Sequence, residues 1–374
     1  MKIIIDAHLS ENNLTGIGRY LNELIPALLS IDQTNEYTIL LNSYINQQHP
    51  LYQLKKNNLK KIFVTLTGPS LKQHFIIPAL LRKIKPDIYH HPHFDLPLGI
   101  RTRAVITVHD LKYIHHPEYF SGNRYLKKCY MFNKLKHSIQ RSKQVIAISS
   151  ATKNDLISHF QVDHKKIQVI HHGNTSLPIS GNRSDYITTN YNINHPYILF
   201  VGERRPHKNI VNLIKAFKLL CESYSKKIDL VIIGKRYADY QEPENVVNQF
   251  NLNNQVHLFD TISDDELSLF YKNAEFLILP SCYEGFGLPL IEAMNYGIPV
   301  LGSDKSSIPE IMGDAGILFD PDNIRNMSDK MRAVLTNNRL KMELIKKGQN
   351  RVLSFTWEKT AEQTLEVYRS ILKQ

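Results

Sequence analysis

Short apolar, β-branched runs alternate with amphipathic stretches along almost the whole chain. In the first half, residues 3–5, 37–41, 62–66, 87–90, 104–108 and 145–148 have the length and composition of buried strands. Between them, residues 16–29, 71–83, 123–140 and 151–160 read as helices with one apolar face. A second series follows, with strands at 197–201, 230–233, 256–259, 276–279 and 300–301 and helices at 209–221, 288–296 and 356–372. Residues 175–195 break the pattern with polar and turn-forming side chains. Strands that alternate with helices predict parallel sheets covered on both faces. The expected fold is therefore α/β, with two Rossmann-like doubly wound parallel-sheet domains at 1–180 and 195–355. A linker at 181–194 joins them, and a closing helix at 356–374 is expected to pack back towards the first domain. Loops and helix N-termini converge at the carboxyl edges of such sheets, so the active site is expected in the cleft between the domains.

Bulk composition narrows the class. A chain of 374 residues exceeds what one core usually fills, and 42% hydrophobic with 22% charged residues is ordinary for a globular protein. Cys129, Cys221 and Cys282 are odd in number, far apart and outside any CxxC pair. They read as reduced thiols serving as small core residues, which suits a cytoplasmic location. The opening Met-Lys-Ile-Ile-Ile-Asp is too short for a signal peptide, and no run of 18 apolar residues occurs. Residues 1–180 carry 23 Lys/Arg against 11 Asp/Glu, a net +12, whereas 181–374 carry 23 against 24. The first domain thus either faces an anionic partner or is merely kept soluble by its charge. Residues 123–143 pose the same choice. Seven Lys/Arg interleave there with Tyr125, Leu126, Tyr130, Met131, Phe132, Leu135 and Ile139. That is the pattern of a basic helix lying on anionic lipid at the inner membrane face, or of a solvated helix with an apolar inner side.

Candidate chemistry clusters at the predicted strand ends. Glu284-Gly-Phe-Gly-Leu-Pro-Leu-Ile-Glu292 sets two carboxylates eight positions apart across a glycine loop and a helix start. Unpaired N–H groups at that terminus suit a phosphate, and carboxylates suit vicinal sugar hydroxyls. Gly202-Glu203-Arg204-Arg205-Pro206-His207-Lys208 puts cations on a strand-to-helix turn, where they would stabilise a diphosphate leaving group. Thr15-Gly16-Ile17-Gly18-Arg19 opens a helix after the first strand; it is too short for a dinucleotide fingerprint. His109 ends the strand Thr107-Val108-His109-Asp110. His90-His91-Pro92-His93 lacks the spacing of zinc pairs and any Cys or carboxylate partner placed to complete a shell, so no metal is expected. The only Asp-x-Asp, Asp320-Pro321-Asp322, reads as a turn.

The Glu284–Glu292 stretch and the following Ala293-Met-Asn-Tyr-Gly-Ile-Pro-Val300 resemble the signature of retaining nucleotide-sugar glycosyltransferases of family 4, which have the GT-B architecture. The resemblance extends over most of the chain. It implies that Glu284 meets the donor sugar, that Glu292 holds the nucleoside ribose, and that the backbone of Phe286, Gly287 and Leu288 lines the sugar and diphosphate. It also implies that Gly16 and Gly18 close over the donor phosphates, that His109 meets the donor sugar, and that Lys208 grips the diphosphate. The family's arginine directly after the glycine is here Glu203, so Arg204, in preference to Arg205, is expected to substitute. His109, Lys208 and Glu284 are the expected catalytic residues. Front-side attack, with retention at the anomeric carbon and no metal, is the mechanism the family implies. Residues 87–98 and 109–120 resemble bacterial surface-polysaccharide transferases of the O-antigen or capsule type. That favours GDP-mannose over a UDP-sugar as donor, and a glycan or lipid-linked acceptor; no nucleic acid is expected. A nucleotide-sugar epimerase or hydrolase, and a silent nucleotide-sugar-binding subunit, are the alternatives.

Overall fold

The computed structural model describes residues 1–10, 16–66, 70–119, 123–175 and 186–373. The chain divides into two compact units, Met1–Gly173 with Phe355–Gln374, and Asn174–Ser354.

The first unit is built on seven strands: β1 (Lys2–Asp6), β2 (Glu36–Asn42), β3 (Leu59–Val64), β4 (Ile88–His91), β5 (Arg103–Val108), β6 (Gln144–Ala147) and β7 (Ile167–Val169). They lie in the order β3-β2-β1-β4-β5-β6-β7, every pairing parallel. Burial on both faces explains their unbroken apolar runs. One face packs against the helices Gly16–Ile31 and Trp357–Ser370 through Leu21, Leu24, Leu28, Leu365 and Tyr368. The other packs against Gln73–Ile84, Arg124–Arg141 and Ser150–Phe160. Ser149 caps the last of these by accepting from the Thr152 amide. The closing helix is held to the sheet by polar contact too: Tyr368 Oη lies 2.6 Å from His90 Nδ1, and His90 Nε2 lies 2.8 Å from Thr107 Oγ1.

The second unit repeats the plan with β8 (Tyr197–Val201), β9 (Asp229–Ile233), β10 (Val256–Phe259), β11 (Phe276–Leu279), β12 (Val300–Ser303) and β13 (Gly316–Phe319). Their order is β10-β9-β8-β11-β12-β13, again all parallel. In each sheet the order reverses once, beside β1 in the first unit and β8 in the second. Loops leaving the carboxyl ends of the strands there part to opposite sides and leave a crevice.

Several elements depart from the sequence expectation. Residues 176–185, which include the start of the expected linker, lie outside the described residues, but Tyr186–Tyr191 within that linker is a helix. Its two tyrosines donate to Glu266 at 3.1 and 2.7 Å, which anchors polar sequence that reads as open chain. The helices Glu242–Gln249, Asp264–Asn273, Ile324–Thr336 and Asn338–Val352 were not marked by the apolar pattern, because their exposed faces are densely polar. Cys129 is exposed and so is not a core residue, whereas Cys221 and Cys282 are half-buried and burial pushes both thiols up to about 11. Among the described residues no helix is long and apolar enough to cross a membrane.

Candidate active site

In the second unit, Lys208 and Glu284 leave from the ends of β8 and β11, neighbouring strands at the point where the order reverses. Lys208 closes a 3-10 turn, Pro206–Lys208, and Asn209 takes a left-handed conformation before the helix Ile210–Ser223 starts. Cys282 N donates to His207 O at 2.8 Å, tying this turn to the loop after β11. Lys208 Nζ then donates to Glu284 Oε1 at 2.6 Å, and Ser281 Oγ donates to the same oxygen at 2.7 Å. Both charged side chains are nearly enclosed, at 13% and 12% exposure. The lysine ammonium has three N–H donors, so the pair leaves it capacity for a ligand oxygen.

The loop carrying Glu284 is rigidly held. Glu284 O accepts from Ser306 Oγ at 2.6 Å and from Ser307 Oγ at 3.0 Å, and Phe286 O accepts from Ser307 Oγ at 2.9 Å. Phe286 is buried. Gly287 caps the helix Leu288–Asn295 at φ +105°, a conformation that an L side chain would strain. This is the physical reason for the glycine before Leu288. On the helix, Glu292 is buried and accepts from Tyr271 Oη at 2.6 Å; Tyr271 stacks flat on Tyr296 at 5.4 Å. Glu292 is thereby presented by a rigid aromatic pair.

The two arginines have different surroundings. Arg204 is buried, its Nε donating to Gly234 O and its Nη1 to Glu244, both at 3.1 Å. Arg205 is half-buried; its guanidinium lies 3.4 Å above the Tyr237 ring and its Nη1 donates to both oxygens of Asp239. Glu203, in the place where the family resemblance puts arginine, accepts from Tyr237 Oη at 3.0 Å. Gly234 permits this arrangement, since a Cβ there would stand 1.8 Å from Gly202 O.

The remaining expected residues belong to the first unit. Gly16 and Gly18 occupy the first turn of their helix, Gly16 exposed and Gly18 buried, while Thr15 lies outside the described residues. His109 Nε2 donates to Pro92 O at 3.0 Å, so its Nδ1 is left as an acceptor. Burial lowers its pKa to about 4, and the ring is neutral near pH 7.

One expectation needs correction. The His90–His93 run does have a carboxylate beside it: Asp95, the residue two after His93. Among the described residues, His91, His93 and Asp95 form the group whose ligand atoms converge within 4.8 Å. His91 Nε2 lies 3.1 Å from Asp95 and its Nδ1 3.4 Å from Asp6, while His93 also binds Asp95. His8 lies 2.5 Å from Asp6, and Gln73 donates to Asp95 at 3.1 Å. Asp95 stands in the local sequence and was passed over, whereas Asp6, which comes from β1, could not be read there. Asp320-Pro321-Asp322 is a turn, with the Asp322 amide donating to Asp320 and Pro321 O accepting from Asn209.

Sequence reading missed Ser281, Ser306, Ser307 and Tyr271, the groups that hold the two acids. Ser281 alone carried a signal, at a strand end three residues before Glu284.

Comparison with known proteins places this geometry. Residues 15–174 match a family model described as Glycosyltransferase Family 4, and residues 188–351 one described as Glycosyl transferases group 1. O-antigen chain mannosyltransferase B of Escherichia coli is 29% identical over 99% of this chain and 100% of its own length. Sucrose-phosphate synthase of Thermosynechococcus elongatus superposes with a TM-score of 0.78 at 19% identity, covering 100% of this chain and 99% of that one. HepE of Anabaena, solved in complex with UDP and glucose, gives 0.76 at 16% identity over 99% and 100% of the two chains. With both halves matched by family models and the fold shared from end to end, the chain belongs to the family 4 glycosyltransferases and has their GT-B fold.

Proposed function

We propose that the chain transfers a hexose, mannose in preference, from a nucleotide-diphosphate sugar to a glycan or lipid-linked acceptor in surface-polysaccharide synthesis, with retention at the anomeric carbon. The observation that carries this reading is the enclosed Lys208–Glu284 pair beside the amino end of the helix Leu288–Asn295. A diphosphate accumulates charge as its bond to the sugar breaks. Lys208 and the helix amides supply fixed positive potential for that charge without a divalent ion. Arg205, nearer the surface than Arg204, is the better placed arginine to join them; Arg204 holds the loop. Glu284 accepts from sugar hydroxyls, and Glu292 from the ribose.

In the step itself, the bond from the anomeric carbon to the phosphate oxygen breaks and a bond to the acceptor oxygen forms on the same face. The acceptor's proton passes to the departing phosphate oxygen. The preference for mannose, and for GDP over UDP, is supported by the O-antigen mannosyltransferase relative; the UDP complex of HepE supports a nucleotide diphosphate more generally. The working place is the cytoplasmic side of an anionic membrane, consistent with three unpaired cysteines and a basic first unit.

The test is a thermal-shift panel of GDP- and UDP-sugars, then transfer assays with the best stabiliser in the presence of EDTA. The anomeric configuration of the product is read by NMR. GDP-mannose should stabilise most, and transfer should survive the chelator with retention. Sugar release or epimerisation at the full rate without acceptor would replace the reading by a hydrolase or epimerase. Loss of turnover in EDTA would overturn the metal-free grip.

A further inference from the structure

β4 ends at His91, and the chain runs on through Pro92, His93, Phe94 and Asp95 from the carboxyl end of that strand. His91 Nε2 lies 3.1 Å from Asp95 Oδ1, and His93 Nδ1 is hydrogen-bonded to the same oxygen. The three ligand atoms fall within 4.8 Å of one another. Two imidazole nitrogens and a carboxylate oxygen are a donor set for zinc, whose tetrahedral ligands stand about 3.3 Å apart at bond lengths of about 2.0 Å.

The surrounding groups match the outer shell of a bound ion. His91 Nδ1 faces Asp6 Oδ2 at 3.4 Å, so a second carboxylate backs the ring on the side away from Asp95. Gln73 Nε2 donates to Asp95 Oδ2 at 3.1 Å, and Lys134 Nζ lies 3.9 Å from that oxygen, which leaves Oδ1 as the ligand atom. With both rings neutral, Asp6 and Asp95 balance two positive charges, as charge buried this deeply requires. His91, Asp6 and Asp95 are enclosed, whereas the His93 side chain is 17% exposed and gives an ion its way in.

Hydrogen bonds within the group leave one atom unaccounted for. Gln73 is fully buried, and its Oε1 has no hydrogen-bond partner among the described residues. A buried acceptor left alone is costly. It belongs to the amide that reaches Asp95, so a water held by an ion beside that carboxylate is the donor it lacks.

We infer that His91, His93 and Asp95 form a zinc-class metal site in the first unit, with a water as fourth ligand. The ion takes the place of the proton between His91 and Asp95. Its two histidines flank Pro92, whose carbonyl accepts from His109 at 3.0 Å, so the ion stiffens the segment that orients the His109 ring. That bond is made without the ion, and Lys208 and Glu284 belong to the other unit, so transfer in EDTA remains the expectation.

The untagged whole chain is stripped with EDTA, dialysed, and titrated with zinc chloride by calorimetry and with cobalt chloride by visible absorption. One ion per chain is expected, with the intense d–d bands of low-coordinate cobalt and a raised unfolding midpoint; magnesium should not compete. His93→Ala and the milder His93→Gln should each weaken zinc at least about 100-fold and abolish the cobalt bands, with circular dichroism unchanged. Gln73→Leu, which keeps all three ligands, should weaken zinc about 10-fold. His159→Ala, in a separate cluster where the ring lies 3.2 Å from His115, should change nothing. Cobalt bands that survive in both His93 variants, or that vanish in His159→Ala, overturn the proposal. So does a wild-type chain that takes up no zinc. Neither titration uses donor or acceptor, so failure here is separate from any failure of transfer.

Discussion

Replacing Lys208 by methionine separates its electrostatic role from its bulk. In the folded chain its ammonium sits 2.6 Å from a Glu284 oxygen, with both side chains close to 90% enclosed. Removing the cation leaves a carboxylate with Ser281 as its remaining side-chain donor to that oxygen. Orphaning one member of a fully buried pair costs about 3–5 kcal/mol. Partial exposure and the serine reduce this, so Lys208→Met should lose about 1–3 kcal/mol of stability. Adding Glu284→Gln should return part of that loss, because no unpaired charge remains. Turnover should behave in the opposite way. The leaving diphosphate loses a pre-organised cation, and kcat should fall by about 10²–10³, or about 2.7–4 kcal/mol of barrier. The double variant should be no better, since the glutamine cannot restore the charge. Urea unfolding of the two single variants and the double variant, paired with steady-state transfer kinetics, gives both cycles. If Lys208→Met turns over within twofold of wild type, the lysine does not meet the diphosphate. If Glu284→Gln deepens the instability of Lys208→Met, the pair is not the enclosed charge couple described here.

Tyr271→Phe deletes the 2.6 Å hydrogen bond that positions Glu292 and keeps the stack on Tyr296. It should raise KM for the donor by about 10-fold and move kcat less, as for a lost hydrogen bond to a charged group worth about 1.5 kcal/mol; an equal fall in kcat would contradict that role. Gly234→Ala forces a Cβ onto Gly202 O, so the loop bearing Arg204 and Lys208 must shift, and a loss of about 2–4 kcal/mol is expected in urea unfolding. Stability should also peak near pH 6.5. Burial opposes charge on His91, but Asp6 and Asp95 outweigh it and raise its pKa to about 9; that contribution is complete below about 6.5 and is lost as pH rises through 9. Burial lowers His90 to about 3 and His109 to about 4, so below about 6.5 the unfolded chain takes up protons that these rings refuse, and stability falls towards pH 4. Unfolding midpoints measured from pH 4 to 9 test both limbs, and His91→Gln should flatten the alkaline one.

What was legible in the sequence was whatever local periodicity or a short motif encodes. β1, β8 and β11 announce themselves because a strand buried on both faces must be apolar at every position, and Glu284 and Glu292 because a helix start fixes their spacing. The groups that aim those acids were not legible, because each arrives from another element: Ser307 from beyond β12, Tyr271 from the helix before β11. The same holds for the histidine cluster. His91, His93 and Asp95 follow one another closely, yet Asp6 enters from the neighbouring strand and Gln73 and Lys134 from two helices. The spacing argument passed over Asp95, a local partner, while Asp6, Gln73 and Lys134 lie beyond what spacing can count. The arginines make the point most sharply. Their adjacent positions suggest interchangeable cations, but Gly234 and Glu244 take up Arg204 while Tyr237 and Asp239 hold Arg205 near the surface. Each guanidinium has five N–H donors, and these partners fix Arg204 and Arg205 in two different positions on one turn. The tertiary partners, and not the order of residues along the turn, give the two arginines their different surroundings.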